Sequence, residues 1–386
     1  MTCILLNLLA ATDGAQVTRA KAFLSRFASH APACRLVVLK DREAFRLEPQ
    51  DGLVVIERCV SRGRLKALRR MAWECVALPR LMSAYQCDIY LTFSHFLPWS
   101  LGKATLSVVG VSNLAPFSAA AWEAEHGLLP KLKLLLLKHS IVSSARRASR
   151  VIALSTTGLK TLIEHGVPAA KITVLPNGVE PVGSDGRIGA DELLRARGVV
   201  GPYILYVSHF YRYKNFLRLV EAYARLEPGI RREYRLVLVG KPLVKGYFDE
   251  VSSRIRALQL TDRVVVVPGM DAAELAAVYS QASLFVYPSL IENSPMILLE
   301  AMAHGLPIVA GLAAPMPEFA GDAAVYFDPL STDALATAIS ETLGDEARMR
   351  LMRQRSLARS RTFSWDTFYA GVLEACSADQ ARAIAA

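Results

Sequence analysis

The chain has 386 residues, 52% of them hydrophobic and 21% charged, a length that suits two domains and a composition that excludes a disordered or collagen-like chain. No apolar run nears the ~20 residues of a spanning helix, and the N-terminus lacks the basic opening of a secretory signal, so a cytoplasmic protein is expected. Lys and Arg number 45 against 35 Asp and Glu, a formal charge of +10, and the excess is lopsided: residues 1–180 hold 23 basic and 12 acidic side chains, residues 181–386 hold 22 and 23.

In chain order, short apolar runs predict strands at Cys3–Leu9, Cys34–Lys40, Gly52–Arg58, Asp88–Phe93, Ala104–Val111, Arg150–Ser155 and Lys171–Leu175. Between them, helical periodicity predicts helices at Val17–Ser29, Arg64–Leu78, Leu128–Ala148 and Thr157–His165. Composition changes near Pro181–Arg187, where Gly, Pro and small polar residues cluster. The alternation then resumes: strands at Tyr203–Ser208, Arg235–Gly240, Val264–Pro268, Leu284–Tyr287 and Pro307–Ala310, helices at Phe216–Arg225, Tyr247–Leu258, Asp271–Gln281 and Pro295–His304. Such alternation builds parallel sheets covered by helices on both faces. The expectation is an α/β protein of two doubly wound, Rossmann-like domains, 1–180 and 190–365, followed by a last helix in 366–386 that starts near Ser364-Trp365-Asp366. The six cysteines are scattered without a Cys-x-x-Cys pair, which predicts buried free thiols rather than a disulfide framework or a zinc site.

Two carboxylates stand out in the segment Tyr287–Pro307. Glu292 falls in a loop at a strand's carboxyl end, and Glu300 falls about one and a half turns into the next helix. Asn293 or Ser294 suits an N-cap, and Pro295 suits the first helical position. A helix N-terminus at a strand end attracts phosphate, whereas carboxylates beside it suit hydroxyl donors. A ligand bearing both phosphate and sugar hydroxyls fits; taken singly, each Glu is equally an ordinary surface acid.

Glu292-x7-Glu300 followed by Ala301-Met302-Ala303-His304-Gly305-Leu306-Pro307 resembles the signature of retaining glycosyltransferases of family 4, whose two-domain architecture is called GT-B. Val174-Leu175-Pro176-Asn177-Gly178-Val179, Tyr206–Asn215 and Val325-Tyr326-Phe327-Asp328-Pro329 resemble further segments of that family. The resemblance implies a hexosyltransferase that uses a nucleotide-sugar donor held mainly by the second domain, with the acceptor on the first and the last helix returning to the first. It implies that Glu300 binds the nucleotide ribose, Glu292 the donor sugar, and Lys214 the diphosphate. Ser208-His209 stands where the family commonly has Gly-Arg, leaving Arg212 or His209 as the second phosphate contact. Asn293-Ser294-Pro295 replaces the usual Gly-Phe-Gly and alters the backbone contacts to the donor. Gly14, in Asp13-Gly14-Ala15-Gln16, resembles the family's glycine loop after the first strand, and His95, Ser112 and Asn113 follow strands on the acceptor side. The chain has no Asp-x-Asp, so neither metal nor other cofactor is expected. The alternatives are a non-catalytic binding or scaffold subunit and a sugar-nucleotide epimerase of the same fold.

The basic first half prompts one more expectation. Arg62, Lys66, Arg69 and Arg70 are predicted on one face of a helix, with Leu65, Leu68, Ala72 and Cys75 on another. Lys131, Lys133, Lys138, Arg146, Arg147 and Arg150 border a second, Leu-rich helix. Helices of this kind lie on anionic leaflets or pack on a sheet with a solvated basic face. The first option places the protein at the inner face of the cytoplasmic membrane, acting on a lipid-linked or saccharide acceptor in cell-envelope polysaccharide or glycolipid synthesis. No aromatic-interleaved basic stripe or recognition motif points to nucleic acid.

Overall fold

The structure, a computed structural model, describes residues 2–12, 14–30, 34–47, 52–59, 66–102, 105–182 and 190–377. The chain forms two compact units. One comprises 1–117, 128–178 and 364–386; the other comprises 118–127 and 179–363.

Unit 1 opens with β1 (Thr2–Leu8), α1 (Gly14–His30), β2 (Cys34–Asp41), β3 (Leu53–Arg58), α2 (Lys66–Ala84), β4 (Ile89–Thr92) and β5 (Leu106–Val111). The chain passes through α3 (Ala119–Ala124), part of unit 2, and returns as α4 (Leu128–Arg147), β6 (Arg150–Ala153), α5 (Thr156–Glu164) and β7 (Ile172–Val174). The seven strands run in the order β3-β2-β1-β4-β5-β6-β7, every pair parallel, with Leu5 of β1 opposite Val37 on one side and Tyr90 on the other. β1 and β4 are buried on both faces, which is why their sequences are near-continuous apolar runs instead of alternating ones.

Unit 2 contains α6 (Ala190–Ala196), β8 (Tyr203–Val207), α7 (Phe216–Arg225), α8 (Pro228–Glu233), β9 (Arg235–Val239), α9 (Lys245–Ala257), β10 (Val264–Val267) and α10 (Ala272–Gln281). It continues with β11 (Leu284–Tyr287), α11 (Met296–Ala303), β12 (Ile308–Gly311), α12 (Met316–Ala320), β13 (Ala324–Phe327), α13 (Thr332–Leu343) and α14 (Glu346–Ser360). Its strand order is β10-β9-β8-β11-β12-β13, again all parallel. Leu205, Leu238, Val286, Leu299 and Met302 are fully buried at its centre. The start of α10 is a capping box: Glu274 N–H donates to Asp271 Oδ1 at 2.9 Å, and Asp271 N–H donates to Glu274 Oε2 at 2.9 Å.

The final helix, α15 (Trp365–Ala375), belongs to unit 1 and packs on α1. Phe23 meets Tyr369 with ring centroids 5.2 Å apart, and Arg26 Nε donates to Asp366 Oδ1 at 2.7 Å. The close packing rests on glycine: a Cβ at Gly178 would stand 2.2 Å from the Trp365 nitrogen.

Several expectations change. Helix α2 runs to Ala84, beyond the predicted end at Leu78, and buries Glu74, Leu78 and Met82, while Leu68 is exposed. Arg70 turns inward, 3.7 Å from Glu74 Oε1, and Asn7 Nδ2 donates to that same oxygen at 3.0 Å. The predicted basic and apolar faces of this helix are thus partly exchanged: the opposite charges offset part of the burial cost, while Arg70 Nε and Glu74 Oε2 stay buried without a hydrogen-bond partner. Arg62, Arg64 and Leu65 lie outside the described residues, as do Asp13, 183–189 and 378–386. The thiols are free, but only Cys3 and Cys376 are buried; Cys34, Cys75 and Cys87 are half-buried and Cys59 is exposed.

Candidate active site

In an open parallel sheet, ligands bind beyond the carboxyl ends of the strands where the strand order reverses. In unit 2 that reversal lies between the paired neighbours β8 and β11. The loops after these two strands carry Ser208 to Asn215 and Pro288 to Pro295, so the sheet's own topology brings Lys214 and Glu292, 78 positions apart, to one place.

They meet directly. Lys214 Nζ pairs with Glu292 Oε1, both side chains close to nine-tenths buried. Ser289 Oγ donates to the same oxygen at 2.7 Å. The backbone around the pair is tied down: Leu290 N–H donates to the Tyr213 carbonyl at 2.8 Å, and Tyr206 OH donates to the Lys214 carbonyl at 2.8 Å. Asn215 ends the Arg212–Lys214 turn in the left-handed region (φ 63°), which asparagine tolerates better than most side chains. Its Nδ2 bonds the carbonyls of Pro288 (3.1 Å) and Pro329 (2.9 Å), joining the loops after β8, β11 and β13. A further close approach supports the loop: a Cβ at Gly240 would stand 1.6 Å from the Ser208 carbonyl oxygen. These contacts do not use the full capacity of the ion pair, since an ammonium offers three donors and a carboxylate about four lone-pair sites. A ligand with an anionic group for Lys214 and a hydroxyl for Glu292 fits that capacity.

Glu300 lies in α11. Tyr279 OH donates to its Oε2 at 3.1 Å, yet burial dominates and pushes the carboxyl up to about 7. The same burial, with Glu300 beside it, drives the Tyr279 hydroxyl well above its ordinary value, so the tyrosine remains a donor. A half-buried carboxylate with one donor has room for the paired hydroxyls of a ribose. The helix start differs from the prediction. Pro295 is the N-cap residue (φ −76°, ψ 85°), its carbonyl taking Leu298 N–H at 3.0 Å and Leu299 N–H at 3.1 Å, and no side chain caps the helix. Asn293 and Ser294 precede the cap as buried loop residues. Proline's missing N–H makes it as compatible with the cap as with the first turn.

Of the other expected donor-side residues, Ser208 is buried, and His209 Nδ1 receives Lys241 N–H at 3.4 Å. Arg212 pairs with Glu250 at 2.8 Å and lies over the Tyr247 ring, so Lys214 is the cation of this turn that meets Glu292.

Unit 1 has its reversal between β1 and β4. Gly14 (φ +56°) starts α1 just beyond β1, and His95 follows β4. The His95 ring is pushed down to about 4 by burial and then by the Arg70 charge, so it is neutral at pH 7; its Nδ1 is buried without a hydrogen-bond partner. Ser112 Oγ receives Gln16 Nε2 at 3.4 Å, and Asn113 Oδ1 receives Ala115 N–H at 2.9 Å, a local turn bond. Sequence reasoning did not select Asn215, Ser289 or Tyr279. Asn215 and Ser289 sat inside the quoted segments; Tyr279 is one apolar-face residue of an ordinary helix, and no local signal distinguishes it.

Two family profiles match the chain: "Glycosyltransferase Family 4" over residues 17–182 and "Glycosyl transferases group 1" over residues 198–359. The O-antigen chain mannosyltransferase B of Escherichia coli is 33% identical over 173 residues, 42% of each chain. The D-inositol 3-phosphate glycosyltransferase of Nocardia farcinica is 29% identical over 246 residues, 60% of this chain and 53% of that one. The chain thus spans about half the length of the curated relatives it matches. Among solved structures, Anabaena Alr3699/HepE in complex with UDP and glucose aligns over 97% of this chain and 99% of its own, with a TM-score of 0.72 and 19% identity, a likeness that carries the fold. With one profile on each unit's sheet and a GT-B fold throughout, the chain belongs to the group-1, family-4 glycosyltransferases.

Proposed function

We propose that the protein transfers a hexose from a nucleotide-sugar donor to a lipid-linked or saccharide acceptor, with retention and without a metal, in the synthesis of envelope polysaccharide or glycolipid. The observation that carries this reading is the Lys214–Glu292 pair at the reversal of the unit 2 sheet, with Glu300 on the helix that follows. Lys214 stabilises the diphosphate, Glu292 accepts hydroxyls of the donor sugar, and Glu300 accepts those of the ribose. The bond between the anomeric carbon and the diphosphate oxygen breaks as an acceptor hydroxyl attacks from the same face, and its proton passes to the departing diphosphate. The protein's contribution is position and a fixed positive potential where negative charge grows. The similar E. coli O-antigen mannosyltransferase supports the envelope setting, and the charge of the first half supports an anionic surface at the cytoplasmic membrane.

A thermal-shift screen with UDP-, GDP-, ADP- and dTDP-sugars, with chelator present, tests the donor site. Stabilisation by one nucleotide, by ~2.7 kcal/mol at a hundred times its dissociation constant, and its loss in Glu300→Ala, supports the reading. Stabilisation without transfer or donor hydrolysis would move the protein to the binding-subunit alternative.

A further inference from the structure

Helix α4 has more apolar surface than its own sheet can cover. Its second half buries Ile141, Ser144 and Ala145, whereas Leu128, Leu129, Leu132, Leu135 and Leu136 in its first half stand 50–88% exposed. At 3.6 residues per turn these five leucines fall within a ~120° arc, and His139 lies inside the same arc one turn further on. Lys131 and Lys138 run along one border of the arc and Lys133 along the other. A leucine stripe of this size exposed to water marks an interaction surface, and the lysine borders say which kind. Lysine stems lie along an apolar surface while their ammonium groups stay in the polar layer. At the opposite end of the helix, Arg147 donates to the Pro98 carbonyl at 3.2 Å and stacks on exposed Trp99, 4.2 Å from the ring centroid. Tryptophan suits a boundary with one apolar and one wet side.

We propose that α4 lies flat on an anionic bilayer, its leucine stripe in the headgroup–acyl boundary and its lysines among the headgroups. Charge complementarity selects this occupant: the stripe is bordered by cations alone, and residues 1–180 hold 23 basic against 12 acidic side chains. The docking combines charge attraction with apolar insertion, and it sits on a different helix face from the α2 arginines, one of which is turned inward. It deepens the proposed function and rests on it, since a lipid-linked acceptor resides in that surface.

The test is flotation of the full-length protein with vesicles of phosphatidylcholine alone or with roughly one-third phosphatidylglycerol. The wild type is expected to prefer the anionic vesicles. Combining Leu128→Ser, Leu132→Ser, Leu135→Ser and Leu136→Ser should weaken binding about tenfold or more at low and at high salt, while Lys131→Gln with Lys133→Gln should remove the anionic preference. A single Leu132→Trp should shift its emission to the blue on anionic vesicles and be quenched by brominated acyl chains. Stabilisation by the donor nucleotide, read in parallel, should be the same in every variant, which separates failure of docking from failure of the transferase reading. Wild-type vesicle binding by the leucine variant overturns the proposal. So does a wild-type dimer that the leucine variant converts to monomer without any vesicle binding, because the stripe then faces a second copy.

Discussion

Unit 1 and unit 2 are wound alike, with parallel sheets whose order reverses between the first and fourth strands, yet they place opposite chemistry there. Unit 2 sets an ion pair between its two loops and a carboxyl raised to about 7 on the next helix. Unit 1 sets a left-handed glycine and a histidine held neutral by burial. The topology decides where a ligand can sit; the buried side chains decide what it must be. An ion pair and a partly unsatisfied carboxylate suit a ligand that brings anion and hydroxyls together. Unit 1 also carries most of the excess positive charge and the exposed leucines of α4, so the units differ in their outer surfaces as well.

The comparison breaks hardest at Lys214. Lys214→Ala should lower kcat by ~10²–10³, the scale of removing one charge-stabilising donor, while His95→Ala leaves nucleotide affinity unchanged; steady-state kinetics beside nucleotide titration read both. If His95→Ala abolished nucleotide binding and Lys214→Ala did not, the donor side would be assigned to the wrong unit.

Next come the close glycine contacts. Gly240→Ala and Gly178→Ala each force a Cβ into neighbouring backbone, at a cost of about 3 kcal/mol in urea unfolding. At a temperature where both variants remain folded, only Gly240→Ala should also weaken donor binding, because it displaces the loop that leads to Lys214.

A pH effect follows from Glu300. Its folded pKa of about 7 lies above the ~4.3 of an unfolded glutamate, so the folded state holds the proton more tightly. The stabilising contribution is complete below about pH 4 and is lost as the pH rises through 7. Between pH 4 and pH 8 the wild type should lose about 3 kcal/mol relative to Glu300→Gln, measured by denaturant unfolding at each pH. Donor binding runs the other way, because hydroxyls prefer the carboxylate: affinity should be about tenfold weaker at pH 6 than at pH 8. The smallest effect is expected at the surface: Arg26→Ala, which removes the pair with exposed Asp366, should cost under about 1 kcal/mol.

The carboxylates Glu292 and Glu300 were legible because a strand end, a loop and a helix with a Gly305 stop can be read locally. Lys214 was legible only through resemblance, since nothing in its own neighbourhood distinguishes it from a surface lysine. The roles of Asn215 and Tyr279 were not legible, because each depends on an atom from a loop or helix elsewhere in the chain, Pro329 for Asn215 and Glu300 for Tyr279; Ser289 meets Glu292 within one loop, but only the loop's fold turns the two side chains together. The inward turn of Arg70 was hidden for the same reason, since Asn7 lies 67 positions from the Glu74 it satisfies.

Apolar runs of strand and helix period were enough to determine that this chain folds as two parallel α/β sheets, because that periodicity reflects which backbone faces must leave water. Charge counting located the basic half. Which charges pair, which carboxyl is held near neutrality and which leucines stay in water were settled by tertiary packing, because desolvation and hydrogen-bond partnership depend on what a remote segment brings into contact.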